Sequence, residues 1–180
     1  MIKATAPGRA GVIGNPTDMY GGTVISCSTQ ERATAVVEPW DELLVEVSGH
    51  RKVLRNREEF DITGDYFDIA RAVIDFLGMY DEKLRIACTS DIPFRAGLSG
   101  STAILVAVLA ALLEYRGERP HPYKLAEAAR HIELYYVKVV CGYQDAYMCT
   151  FGGLNYMDFR EKEFYRGTVS YTHLTLPTKA

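Results

Sequence analysis

The first fifty or so residues carry short β-branched, apolar-rich segments separated by glycine and proline. Residues 23–28, 34–38 and 43–47 read as strands, punctuated by Gly21-Gly22, Pro39 and Gly49, and together they predict an antiparallel sheet. The period then changes. Over residues 66–77, Ile69, Ala70, Val73, Phe76 and Leu77 fall on one helical face, and Gly78 stands where a C-terminal cap is expected. Residues 83–89 read as a buried strand that ends at Ser90-Asp91-Ile92-Pro93, before a glycine-containing turn. A second helix, about 101–115, is apolar nearly all round, which predicts a place inside the core. A third, about 122–139, sets Leu125, Ala128, Ala129, Ile132, Tyr135, Tyr136 and Val139 at spacings of three and four, so it packs one face. Cys141-Gly142 breaks it, and residues 152–159 read as a further strand. Strands and helices without a regular βαβ alternation predict an α+β fold, a sheet packed by helices.

The composition changes this picture little. The chain has 180 residues, 48% hydrophobic and 24% charged, which suits one globular core. Its 20 Lys and Arg are scattered among 23 Asp and Glu, so no concentrated basic face for nucleic acid is expected. Four cysteines form no CxxC pair and four histidines form no HxxxH pair, which predicts reduced thiols and no structural zinc. The opening MIKATAPGRA lacks the apolar core of a signal peptide, and the longest apolar run, 103–113, is too short to cross a bilayer. A cytoplasmic protein without a membrane partner is expected. The last twelve residues, VSYTHLTLPTKA, break with the preceding grammar, and 166–180 are read as a non-native tail behind a domain spanning 1–165.

Three segments carry chemistry. Residues 93–103 (PFRAGLSGSTA) form a glycine and hydroxyl turn feeding a buried helix, where unpaired N–H groups and small residues favour an anion; a Ser N-cap on a tight turn is the plainer reading. No GxxxxGK[ST] pattern is present, which disfavours a P-loop NTPase. Residues 6–22 hold five glycines and two prolines with Arg9, Asn15, Thr17 and Asp18, a loop able to offer side chains to a hydroxylated ligand. In residues 141–145 (CGYQD), Asp145 follows a helix break, as a general base or as a helix cap, and Glu133 on the helix before it is a cation ligand or a solvated carboxylate.

Taken in order, PGRAGVIGNPTDMYGG, PFRAGLSGSTA and CGYQDAY resemble the first motif, the second, phosphate-binding motif and the segment bearing the catalytic Asp of the GHMP kinases, the small-molecule kinase superfamily of galactokinase, homoserine kinase and mevalonate kinase. The resemblance covers about residues 3–160. Within the superfamily, Gly14-Asn15-Pro16-Thr17-Asp18, GLSGS and the YMDF of residues 156–159 are most similar to glucuronokinase-like sugar kinases, whereas galactokinases have Glu-His at positions 15 and 16.

The resemblance implies a ribosomal protein S5 domain 2-like layer of mixed or antiparallel sheet, and an ATP- and Mg²⁺-dependent kinase acting on a sugar or uronic acid such as glucuronate, at the anomeric hydroxyl. It implies that Pro93, Gly97, Leu98, Ser99, Gly100, Ser101 and Thr102 hold the nucleotide, that Ser101 and Glu133 hold the metal, and that Asp145 and Arg9 are catalytic. Asn15, Asp18, Gly22 and Gln144 are implied for the sugar. It also implies a second, C-terminal domain that completes the cleft and that this chain does not contain. Galactose or a heptose phosphate as substrate, and a half-domain that binds without catalysis, are the alternatives.

Overall fold

The computed structural model describes residues 1–160 and residue 162. Strand β1 (Ile2–Ile13) runs antiparallel to β2 (Thr23–Pro39), with register shifts between Pro7 and Arg9 and between Gly11 and Ile13. The C-terminal half of β2 pairs antiparallel with β5 (Leu84–Ser90), and its first five residues pair with β6 (Leu154–Asp158). On the far side of β5 lie β3 (Leu44–Val47) and β4 (His50–Val53), so the order is β1-β2-β5-β3-β4 with β6 beside β2.

The fold is α+β, as the sequence predicts, with three differences of detail. The opening sheet is mixed rather than antiparallel, because β3 and β5 are parallel. Parallel neighbours need a crossover, and the chain between them supplies β4 and helix α1 (Asp68–Leu77), which ends at Gly78 in the left-handed region. Residues 23–28 and 34–38 belong to one uninterrupted strand. The polar stretch Gln30-Glu31-Arg32, which looks like a break, is the exposed stretch of β2 between the parts paired with β6 and with β5. Likewise, residues 6–13 are strand rather than loop, and only 14–22 form the connection, including a 3₁₀ turn at Thr17–Tyr20.

Helix α2 (Gly100–Tyr115) lies across β1 and β2 and touches α1, α3 (Pro122–Ile132) and α4 (Gln144–Phe151), so most of its length is enclosed and Ser101 at its start is exposed. Leu105, Leu109 and Leu112 are fully buried there. The third helix stops sooner than its pattern predicts. Beyond Ile132 it widens into a π turn, Glu133–Val137, and Lys138 takes a left-handed conformation, which leaves Val139 52% exposed. A helix that the sequence reading had not marked, α4, follows the Cys141-Gly142 break. Tyr143, Tyr147 and Met148 join Val24, Ala126, Met157 and Phe159 in a second small core that fixes α4 against the sheet. No helix among the described residues is long and apolar enough to cross a membrane. The proposed tail, 166–180, lies outside the described residues.

Candidate active site

The turn before α2 winds tightly because Arg95, Gly97 and Ser99 all sit in the left-handed region, at φ 57°, 71° and 57°. A Cβ on Gly97 would touch nothing, so glycine serves the backbone angle there rather than a close contact. Gly8 is the opposite case. A Cβ there would lie 2.7 Å from Thr29 Oγ1 and 2.9 Å from Leu98 O, since the turn rests directly on β1, where Arg9 N donates to Leu98 O at 2.9 Å. Pro93, Gly97 and Ser101 are exposed, Leu98, Ser99 and Gly100 are half-buried, and Thr102 is buried. The Ser99 hydroxyl is shielded from solvent and meets no hydrogen-bond partner. Free N–H groups at the first turn of α2, beside small residues, make an anion cradle.

Behind this cradle stands Glu133, in the π turn and 7% exposed. Thr102 Oγ1 donates to its Oε1 at 2.6 Å, while Oε2 meets no donor in hydrogen-bonding geometry. Burial pushes the carboxyl up to about 6; the Thr102 hydroxyl, the Cys141 thiol and the Arg130 charge oppose that push, and the Asp145 charge adds to it. A buried carboxylate oxygen that meets no donor in hydrogen-bonding geometry, on a side chain tied to the first turn of α2 through Thr102, suits a hard cation that prefers oxygen. Among the described residues no group of three or more His, Cys, Asp or Glu could hold a metal by itself, so phosphate oxygens and water would have to complete such a shell.

On the other side, Arg9 projects from β1 onto Asp145 in the first turn of α4. Arg9 Nε donates to Asp145 Oδ1 at 2.6 Å and Nη2 donates to the same oxygen, with Arg9 8% exposed. A cation and a carboxylate separated by 136 positions thus meet beside the α2 cradle, to which Cys149 Sγ of α4 is also tied through Ser99 O at 3.9 Å.

The remaining residues form one network. Gln144 Nε2 donates to Asn15 Oδ1 at 2.6 Å and to Asp18 Oδ1 at 2.9 Å, and Gln144 Oε1 accepts from Ser26 Oγ at 3.0 Å. Asp18 Oδ2 accepts from Tyr143 N at 2.7 Å and Gln144 N at 3.0 Å. Of the four residues expected at a sugar, Asn15 is exposed and Gly22 half-buried, while Asp18 and Gln144 face protein, because the small core around Tyr143 draws α4 down onto the 3₁₀ turn.

Sequence reasoning passed over three participants. Arg130, three residues before Glu133 and so on its side of the helix, donates from Nε to Gly142 O at 3.2 Å and lies 3.7 Å from the Tyr143 ring centroid. That spacing was the only available signal. Cys141 and Ser26 carried none, since each enters through the fold.

Residues 66–153 match the family described as GHMP kinases N terminal domain. Galactokinase of Thermotoga maritima is 28% identical over 153 residues, covering 84% of this chain and 44% of the relative. D-glycero-alpha-D-manno-heptose 7-phosphate kinase of Campylobacter jejuni is 40% identical over 70 residues, covering 39% of this chain and 21% of the relative. The structure of Lactococcus lactis galactokinase complexed with galactose superposes with a TM-score of 0.74 at 20% identity, covering 88% of this chain and 45% of that one. The chain spans less than half the length of these relatives.

Proposed function

We propose that this chain, whose residues 66–153 match the GHMP kinases N terminal domain, is the nucleotide-binding and base-bearing part of an ATP-dependent sugar kinase. The observation that carries the reading is the Arg9–Asp145 pair beside the α2 cradle. Phosphoryl transfer needs alignment, positive charge near the transferred group and a carboxylate at the attacking hydroxyl, and this arrangement offers each.

In this reading the backbone N–H groups of residues 97–102 hold the nucleotide phosphates, with Pro93 setting the entrance to the turn. The Ser99 hydroxyl, which has no protein partner, is available to a phosphate oxygen. Ser101 and Glu133 Oε2 hold Mg²⁺, which when bound neutralises phosphate oxygens. Asp145 orients the substrate hydroxyl and accepts its proton, and Arg9 turns between Asp145 and the transferred phosphoryl group. Asn15, exposed at the mouth, meets sugar hydroxyls, with Gly22 and Gln144 shaping the floor beneath it. A uronic acid such as glucuronate, phosphorylated at its anomeric hydroxyl, is the first substrate to test, because Asn15-Pro16 replaces the Glu-His of galactokinases. The 40% identical stretch favours a heptose phosphate as the second. An ATP-using enzyme with four free thiols suits the cytoplasm.

The test is sugar-dependent ADP release with glucuronate, galactose and heptose phosphates, for the chain and for Asp145→Asn. Removing the base should slow turnover by roughly 10²- to 10⁴-fold with nucleotide affinity retained. Full activity of Asp145→Asn would remove Asp145 from the reaction, and nucleotide binding without turnover on any acceptor would leave a binding domain instead.

A further inference from the structure

We infer that Asp18 is a positioning residue: it caps helix α4 from a distance and so aims Asp145, rather than binding the sugar itself. The inference rests on the kinase reading for its functional consequence, but its structural part stands alone. Helix α4 has no cap of its own. The residue at its N-cap is Tyr143, which makes no side-chain cap hydrogen bond, so the first N–H groups of the helix need an acceptor from elsewhere. Asp18 provides it across 125 positions of sequence, with Oδ2 accepting from both Tyr143 N and Gln144 N. Its other oxygen accepts from Gln144 Nε2.

Three donors and the positive end of a helix meet the hydrogen-bonding needs of this carboxylate, which is 1% exposed. The approach is also built into the chain. A Cβ on Gly142 would lie 1.9 Å from Asp18 Oδ2 and 2.7 Å from its Cγ, so only glycine admits the carboxylate to the α4 terminus. At 1% exposure, with both oxygens engaged by α4, Asp18 is turned to protein rather than to a ligand. The consequence falls on the next residue. Gln144 is held by Asp18 through its backbone, and by Asp18, Asn15 and Ser26 through its side chain, and Asp145 follows it directly. With Arg9 on its carboxylate, Asp145 is fixed from two directions, one through charge and one through backbone.

The first measurement uses the unaltered full chain. Amide hydrogen exchange at Tyr143 and Gln144 should be slow without any sugar, since the cap is already in place; fast exchange there overturns the inference whether or not the protein is a kinase. The second uses Asp18→Asn and Gly142→Ala. Each should speed exchange at those two amides by roughly tenfold or more while β5 is unchanged. Each should lower kcat about ten- to a hundredfold, as expected for a displaced reacting group. The dissociation constant for glucuronate or galactose, whichever the unaltered chain phosphorylates, should stay within about threefold, because binding and turnover separate when a residue acts only on the reacting group. A sugar affinity that collapses in Asp18→Asn with exchange at residues 143 and 144 unchanged makes Asp18 a sugar ligand and refutes the inference. Failure of the unaltered chain to phosphorylate any sugar defeats the kinase reading alone, because the exchange result still decides the cap.

Discussion

Replacing Gly8 with alanine tests how the two glycine-rich segments are joined. Gly8 lies on β1 outside the left-handed region, so its backbone angle admits alanine and the cost is one of space. The new Cβ would meet Thr29 Oγ1 at 2.7 Å, which a side chain can relieve, and Leu98 O at 2.9 Å, which only a shift of the backbone before α2 can relieve. Overpacking of this kind costs about 1–3 kcal/mol. Moving Leu98 away also weakens the Arg9 N to Leu98 O hydrogen bond, worth about 1 kcal/mol. Alanine stiffens the unfolded chain and returns about 0.4–1 kcal/mol. The net loss is therefore about 2 kcal/mol. Gly11→Ala, on the same strand, is the control, because its nearest contact is the Asn15 Cβ at 3.3 Å and no backbone opposes it. Urea unfolding of both variants, compared at a common slope, measures the difference. A Gly8→Ala protein as stable as Gly11→Ala would show that the turn is not seated on β1 and would refute the reasoning.

Glu46 offers a pH-dependent prediction. Burial pushes its carboxyl up, but hydrogen bonds and charge from Arg85 and Arg51 outweigh burial and hold it below the ordinary value of 4.5. A depressed folded value contributes stability that is present above about pH 4.5 and lost as the pH falls through the folded value. Glu46→Gln should accordingly be less stable at neutral pH, with the two proteins converging on acidification; a gap independent of pH in unfolding experiments would contradict this. Ser101→Ala should raise the Mg²⁺ concentration needed for half-maximal sugar-dependent turnover severalfold without lowering the melting temperature, and an unchanged requirement would remove Ser101 from the metal site.

Much of the fold was legible along the chain because its signals are local. The stripe Ile69, Val73, Phe76 with Gly78 behind it specified α1 and its end, and the polar-free run from Ala103 to Leu109 announced a helix with no face toward water. The three segments named the candidate groups, and their order carried the resemblance to the GHMP kinases. Other features depended on which segments meet. Gln30-Glu31-Arg32 reads as a break in isolation, yet β1 beside it keeps β2 whole. The stripe through Val139 predicts a longer third helix, and the π turn that buries Glu133 against Thr102 ends it early. Nor does any local pattern place Arg9 against Asp145, or set a carboxylate from position 18 where Gly142 leaves room for it. Periodicity and turn chemistry act over a few residues and so determine elements and candidate groups. Which of those groups touch, and therefore whether Asp18 faces a ligand or a helix end, is decided by the packing of α4 between sheet and 3₁₀ turn, a property only the assembled chain possesses.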